Sequence, residues 1–165
     1  MDRFLERELG RGQAFAIAIG VMLALAMLGI LLAPDGYAGW YEGLAKPGWL
    51  VSAEGFFLVT TIYYVVGITL LSWLLQRRPS EARSLAVTFA FGMVITYEIW
   101  NGLFLGMQSV TLGLGGAAAL AAVTGGLAWA LLRANFRREA LLLAPWGFWV
   151  VYDLAWAFEL WRLNG

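Results

Sequence analysis

The chain has 165 residues, of which 61% are apolar and only 13% charged; 11 basic and 11 acidic residues give a formal net charge of zero. Mean hydropathy is +0.73, too apolar for a water-soluble domain, whose core must be covered by polar surface, and far too apolar for a disordered chain. With no Cys and no His, disulfides, thiolate metal sites, imidazole bases and His-ligated haem are excluded, and zero net charge argues against a nucleic-acid partner. An integral membrane protein remains, whose chemistry rests on carboxylates, hydroxyls, amides and indoles.

A span of bilayer takes about 20 mostly apolar residues as helix. Five stretches qualify: about 13–33, 55–75, 84–105, 110–132 and 141–161. The links are short, so consecutive helices run antiparallel, and the expected fold is all-α, one five-helix transmembrane domain covering residues 1–165. Before the first span, Phe4, Leu5 and Leu9 lie among charges, as a solvated tail or a short surface helix. The first apolar stretch is as long as a full span, and no small-residue cleavage site followed by a soluble chain marks it as a signal peptide.

The first link, 34–54, is the longest and is rich in Gly and aromatic residues. Pro47 biases Lys46 away from helical geometry. Tyr37, Trp40, Tyr41 and Trp49 suit an interfacial aromatic belt or a lid over a pocket. On the fourth span Gly113, Ala117, Ala121 and Gly125 recur every four residues, a small-residue face that lets another helix approach closely, within the chain or in a homodimer.

Lys and Arg fall unevenly. Arg3, Arg7, Arg11, Arg77, Arg78, Arg83, Arg133, Arg137 and Arg138 lie at one end of the antiparallel bundle, and only Lys46 and Arg162 at the other. The positive-inside rule then puts the N-terminus in the cytoplasm and the C-terminus outside, in a bacterial inner membrane.

Ionisable residues inside a span are costly and invite a functional reading. Glu98 in the third span and Asp153 in the fifth have no Lys or Arg on their own spans at similar depth. Both lie about 10–12 Å below the same boundary at 1.5 Å rise per residue. Asn101 follows Glu98 by three residues, and Trp149 and Trp156 flank Asp153 at i−4 and i+3. Thr60, Thr61, Tyr63 and Tyr64 reach a comparable depth on the second span. These groups either hydrogen-bond one another and fix helix register, or tip an aromatic pocket beneath the first link that suits ligands with donors or cationic groups. No nucleophile–base pair, P-loop or dinucleotide fingerprint occurs, so no catalytic residue and no metal ligand is named.

Three segments resemble the TspO/MBR family, the tryptophan-rich sensory and translocator proteins. They are WYEGLAKPGW at Trp40 to Trp49, WNGLFLGM at Trp100 to Met107, and PWGFWVVYDLAWAFELWRLN at Pro145 to Asn164. Tyr64 falls where the family's second helix often has Tyr. The resemblance implies a cavity under the first link that takes porphyrins, haem-like molecules or sterols. Trp40, Tyr41, Lys46, Pro47 and Trp49 would form its lid, Tyr64, Trp100, Asn101, Trp149 and Trp156 its walls, and Glu98 and Asp153 its polar anchors. The chain departs from the family pattern at Val51 and Ser52 (a Pro pair), Phe57 (Pro), Thr60 (the second-helix Trp associated with tetrapyrrole binding and breakdown), Tyr97 (Asn) and Ala157 (Asn), and it adds Glu98 and Asp153. It therefore resembles a divergent member with a rebuilt pocket: a membrane protein binding a tetrapyrrole, sterol or isoprenoid as sensor, carrier or regulator. Without His or Cys, any tetrapyrrole would be held by packing and hydrogen bonds. Two other readings stand beside it: an accessory subunit of a larger pigment or respiratory complex, and a small lipid or isoprenoid enzyme using Glu98 and Asp153 as an acid/base pair.

Overall fold

The structure, a computed structural model, describes residues 9–32 and 37–165. The surface-helix alternative for the N-terminal tail, with Phe4 and Leu5, lies outside the described residues. The elements are α1 (Arg11–Leu32), a short α2 (Tyr37–Gly43), α3 (Ala53–Leu75), α4 (Glu81–Asn101) continued by a π-helical turn (Gly102–Gly106), α5 (Val110–Arg133) and α6 (Arg137–Asn164). All but α2 are long and apolar enough to cross a membrane, and no strand occurs among the described residues. The chain is an integral membrane protein of all-α class.

The helix ends follow local chemistry. Ser52, Ser80 and Ser109 each precede a helix and accept a hydrogen bond from the backbone N–H three residues on, at 3.3, 3.1 and 3.2 Å, the usual way to satisfy an orphan donor of a first turn. α5 stops at a left-handed residue, Asn135 (φ 57°). Asn135 N–H donates to the Leu132 carbonyl and Phe136 N–H to the Leu131 carbonyl, the paired bonds of a Schellman termination. α6 starts four residues before the apolar run and continues through Pro145. The proline lacks only the N–H that would bond the carbonyl four residues back.

α4 packs against α1, α3 and α5, and α6 packs against α3 and α5. α3, α4, α5 and α6 thus close a ring, with α1 laid on the α3–α4 side. α1 accordingly buries only Ala14, Ala18, Met22 and Gly29, while Leu23, Met27, Ile30 and Leu31 are exposed where lipid would cover them.

The small residues of α5 mark its seam with α4. A Cβ at Gly113 would lie 2.5 Å from the Phe104 ring, at Gly116 2.6 Å from Trp100, and at Gly126 2.5 Å from Phe89. Gly113 and Ala117 are buried within the chain, Ala121 is half-buried and Gly125 is exposed. The four-residue stripe therefore does not form one free face: its first half is spent on intramolecular packing.

At the arginine end, Arg77 and Glu139 form a two-pronged ion pair, Nε–Oε1 at 2.7 Å and a terminal guanidinium nitrogen to Oε2 at 2.8 Å, joining the segment after α3 to the start of α6. The Glu139 hydrogen bonds hold the Arg77 guanidinium above its ordinary pKa. Arg83 is fully buried and donates to the carbonyls of Leu74 and Leu75 at 3.0 Å each, closing the last turn of α3 as a cation suits a helix C-terminus. Two of the nine arginines that set the charge asymmetry are therefore also structural fasteners.

Candidate functional site

Beneath the first link is a cavity of about 670 Å³, within the range of small-molecule sites. The link contributes Tyr41, Leu50, Val51 and Ser52; α3 contributes Phe56 and Thr60; α4 and its π turn contribute Tyr97, Trp100, Asn101, Phe104 and Leu105; α6 contributes Trp149, Asp153 and Trp156. Spacings of three and four residues along α4 and α6 place these side chains on one face of each helix. Neither α1 nor α5 lines the cavity.

Aromatic rings lock the walls. Trp156 lies against Tyr41, Phe56, Trp100 and Phe104 with centroids 5.4–6.2 Å apart, mostly in the edge-on geometry that ring quadrupoles favour. Trp149 stacks on Tyr152 at 4.6 Å. The Trp100 indole N–H donates to the Gly113 carbonyl at 2.9 Å, tying the α4 wall to the backbone of α5.

The lid is fastened to α6 at two points. The Val51 N–H donates to the Tyr152 hydroxyl at 2.9 Å. The side-chain amide of Asn164 bonds both main-chain groups of Ala45: it accepts from the Ala45 N–H and donates to the Ala45 carbonyl, at 2.9 Å each. Lys46 Nζ donates to the carbonyls of Glu42 and Leu44 and sits 4.7 Å from the centre of the Tyr41 ring. Burial pushes the Tyr41 hydroxyl above its ordinary pKa, and the nearby Tyr152 adds to the shift.

Of the twelve residues singled out in the sequence, Tyr41, Trp100, Asn101, Trp149, Asp153 and Trp156 line the cavity. Six do not. Trp40 packs edge-on to Phe104 from behind, at 5.4 Å. Lys46 is turned into the backbone of its own loop. Pro47 is buried within the lid. Trp49 is 47% exposed, with one edge against Tyr152. Tyr64 donates to Glu98 Oε1 at 3.2 Å, and that carboxyl lies against Gly29 of α1.

The two carboxyls expected at one level therefore face different neighbours. Glu98 is 2% and Asp153 1% exposed, but Glu98 is held between α3 and α1, whereas Asp153 lines the cavity. Tyr97 neighbours both. Glu98 has the Tyr64 hydroxyl and the Asn101 amide as donors. Neither Asp153 oxygen has a hydrogen bond within 3.5 Å among the described residues, the Trp149 indole being a looser neighbour, and the indole N–H of Trp156 is buried with only the Tyr41 hydroxyl near it.

Positions at which the chain departs from the family pattern concentrate here: Val51, Ser52, Thr60, Tyr97 and Asp153 all line the cavity. Phe57 is exposed and Ala157 is buried outside the lining. Sequence reasoning did not find Tyr152 and Asn164 as lid anchors, although the terminal RLN of the third segment includes Asn164.

The cavity can take an apolar ring system in volume, but it offers no imidazole or thiolate for an axial bond. No Lys or Arg lines it to pair with a porphyrin's carboxylates, and no cluster of acidic side chains among the described residues suits a metal ion.

Comparison with curated proteins gives no match. The model of the TspO/MBR family matches residues 18–162, which takes in the cavity lining, the first link, the second to fourth spanning helices and most of α1 and α6: the chain belongs to the TspO/MBR family.

Proposed function

We propose that the protein binds a hydrophobic, partly polar small molecule in the cavity under the first link and serves as a sensor, carrier or regulator. Family membership supports this, with porphyrin or sterol binding typical of the family. The observation that carries it is the cavity itself: about 670 Å³, walled by indole, phenol and phenyl rings, with one buried carboxyl whose oxygens have no close hydrogen bond among the described residues. A cavity between tightly packed helices has no structural purpose, and an unmet polar group inside it calls for a partner. A sterol or isoprenoid alcohol, or the ring of a tetrapyrrole, suits the apolar walls; the propionates of a porphyrin would have to point away from Asp153. The arginine asymmetry supports a cytoplasmic N-terminus, which places the lid on the outer side of a bacterial inner membrane. A homodimer through α5 would rest on Ala121 and Gly125, because Gly113 and Ala117 are packed inside the chain.

Tryptophan fluorescence of the purified protein, titrated with protoporphyrin and with a fluorescent sterol, tests the reading. Saturable quenching or energy transfer that weakens when Trp149 or Trp156 is replaced by Phe is expected. A folded, monodisperse sample that shows neither would overturn it.

A further inference from the structure

We propose that the ligand of this cavity is an organic cation: an apolar, ring-bearing molecule with a protonated amine set against Asp153. The inference rests on the reading of the cavity as a ligand site and adds the charge of what enters.

Four observations carry it. Asp153 is 1% exposed, lines the cavity, and has no hydrogen bond within 3.5 Å among the described residues, with the Trp149 indole as a looser donor beside it. A buried carboxylate needs a counter-charge or several donors, since the loss of its hydration costs several kcal/mol. No Lys or Arg lines the cavity, and the two cations at this end of the bundle are engaged elsewhere. Lys46 is bonded to the carbonyls of Glu42 and Leu44, and Arg162 is paired with Glu159 at 2.7 Å. Buried alone, the carboxyl favours its neutral form; the charge that would complete it as a carboxylate has to come from outside the chain. Third, the groups sharing the lining with Asp153 include Trp149, Trp156, Tyr97 and Phe56, ring faces that attract an ammonium through their quadrupoles. Fourth, Glu98 shows how a carboxyl with a structural role looks in the same bundle: it is equally buried, but it receives the Tyr64 hydroxyl and packs against Gly29 outside the lining. Asp153 has only the looser Trp149 indole beside it. The buried indole N–H of Trp156, near the Tyr41 hydroxyl but without a close hydrogen bond, adds a place for an acceptor atom such as a carbonyl or ether oxygen on the same ligand.

The test uses three probes that share one ring system and differ in head group: 1-pyrenemethylamine, 1-methylpyrene and 1-pyrenecarboxylate. Binding to the full chain in a non-ionic detergent is read as energy transfer from tryptophan to pyrene. The ammonium probe should bind about tenfold or more tightly than the neutral one, a typical value for a charge-assisted contact, and the carboxylate should bind most weakly. The preference should vanish in Asp153→Asn and persist in Glu159→Gln, which removes a carboxyl from the same helix outside the lining. Equal affinities in the unmodified protein, or a preference that survives in folded Asp153→Asn, would overturn the charge assignment while leaving the ligand site standing. Should Asp153→Asn not fold, the head-group order in the unmodified protein decides alone. If no probe binds saturably, the reading of the cavity as a ligand site falls, and the charge assignment with it.

Discussion

The side chain of Asn164 is joined to the backbone of Ala45 by two hydrogen bonds of 2.9 Å, one in each direction, across 119 residues of sequence. The amide imitates a peptide group and closes the lid onto the last turn of α6. Its nitrogen also donates to the Leu160 carbonyl at 2.8 Å, so the clamp is braced against its own helix.

Replacing Asn164 with Ala should free the lid while leaving the bundle folded. Three hydrogen bonds are lost, two of them to the lid, each contributing about 1 kcal/mol. Faster amide exchange and proteolysis at residues 44–50, with faster release of any bound pyrene or sterol probe, are the expected signs. Unchanged exchange in the lid would show that the Val51–Tyr152 bond holds it alone.

Gly29 and Glu98 make a second pairing that can be read by a double-mutant cycle. A Cβ at residue 29 would meet the Glu98 carboxyl, so Gly29→Ala should push that carboxyl away from the Tyr64 hydroxyl and cost about 1–3 kcal/mol. In a Glu98→Ala background the same substitution should be neutral, or stabilising by up to about 1 kcal/mol, because Ala favours helix over Gly. Thermal unfolding in detergent of the four proteins gives the coupling. Additive effects would contradict the contact.

Gly116→Ala should disturb the cavity from behind its wall. The new methyl would lie 2.6 Å from the Trp100 indole, which is held by its bond to the Gly113 carbonyl and cannot move without breaking it. A loss of about 1–3 kcal/mol is expected for such overpacking, with an altered tryptophan emission spectrum. Gly115, whose Cβ would meet nothing within 4 Å, supplies the control: Gly115→Ala should leave the emission unchanged and the stability equal or raised by up to about 1 kcal/mol.

Arg83→Met keeps much of the apolar stem and removes the guanidinium. The Leu74 and Leu75 carbonyls then lose their charged donor and keep only the backbone N–H groups of Arg77 and Leu9, at a cost of about 1–3 kcal/mol in all. A fall in the unfolding temperature larger than that of Arg78→Met checks it. Equal falls would mean that Arg83 contributes through charge alone.

The five spans could be read from the sequence because hydrophobic length is a local property, and a close-packing face on α5 because small residues recur at a fixed interval, although not which helix it meets. What faces what was harder. Depth along a helix follows from counting residues, and it set Glu98 and Asp153 at one level. Direction around the axis depends on where the neighbouring helices stand. Consecutive helical residues point about 100° apart, so Tyr97 lines the cavity while Glu98, one residue on, turns to α3 and α1. Asn101 bears out the i+3 argument, since its amide meets the Glu98 carboxyl, and it is Asn101 of the two that lines the cavity. The Asn164 clamp had no local signal, because its partner is a backbone group at the opposite end of the sequence.

Both lid fastenings, Tyr152 and Asn164, and Asp153 stand on α6. A helix is a stiff rod, so these three points keep their spacing, about 1.5 Å per residue along one axis. The floor of the cavity and the two catches of its lid therefore share one rigid support.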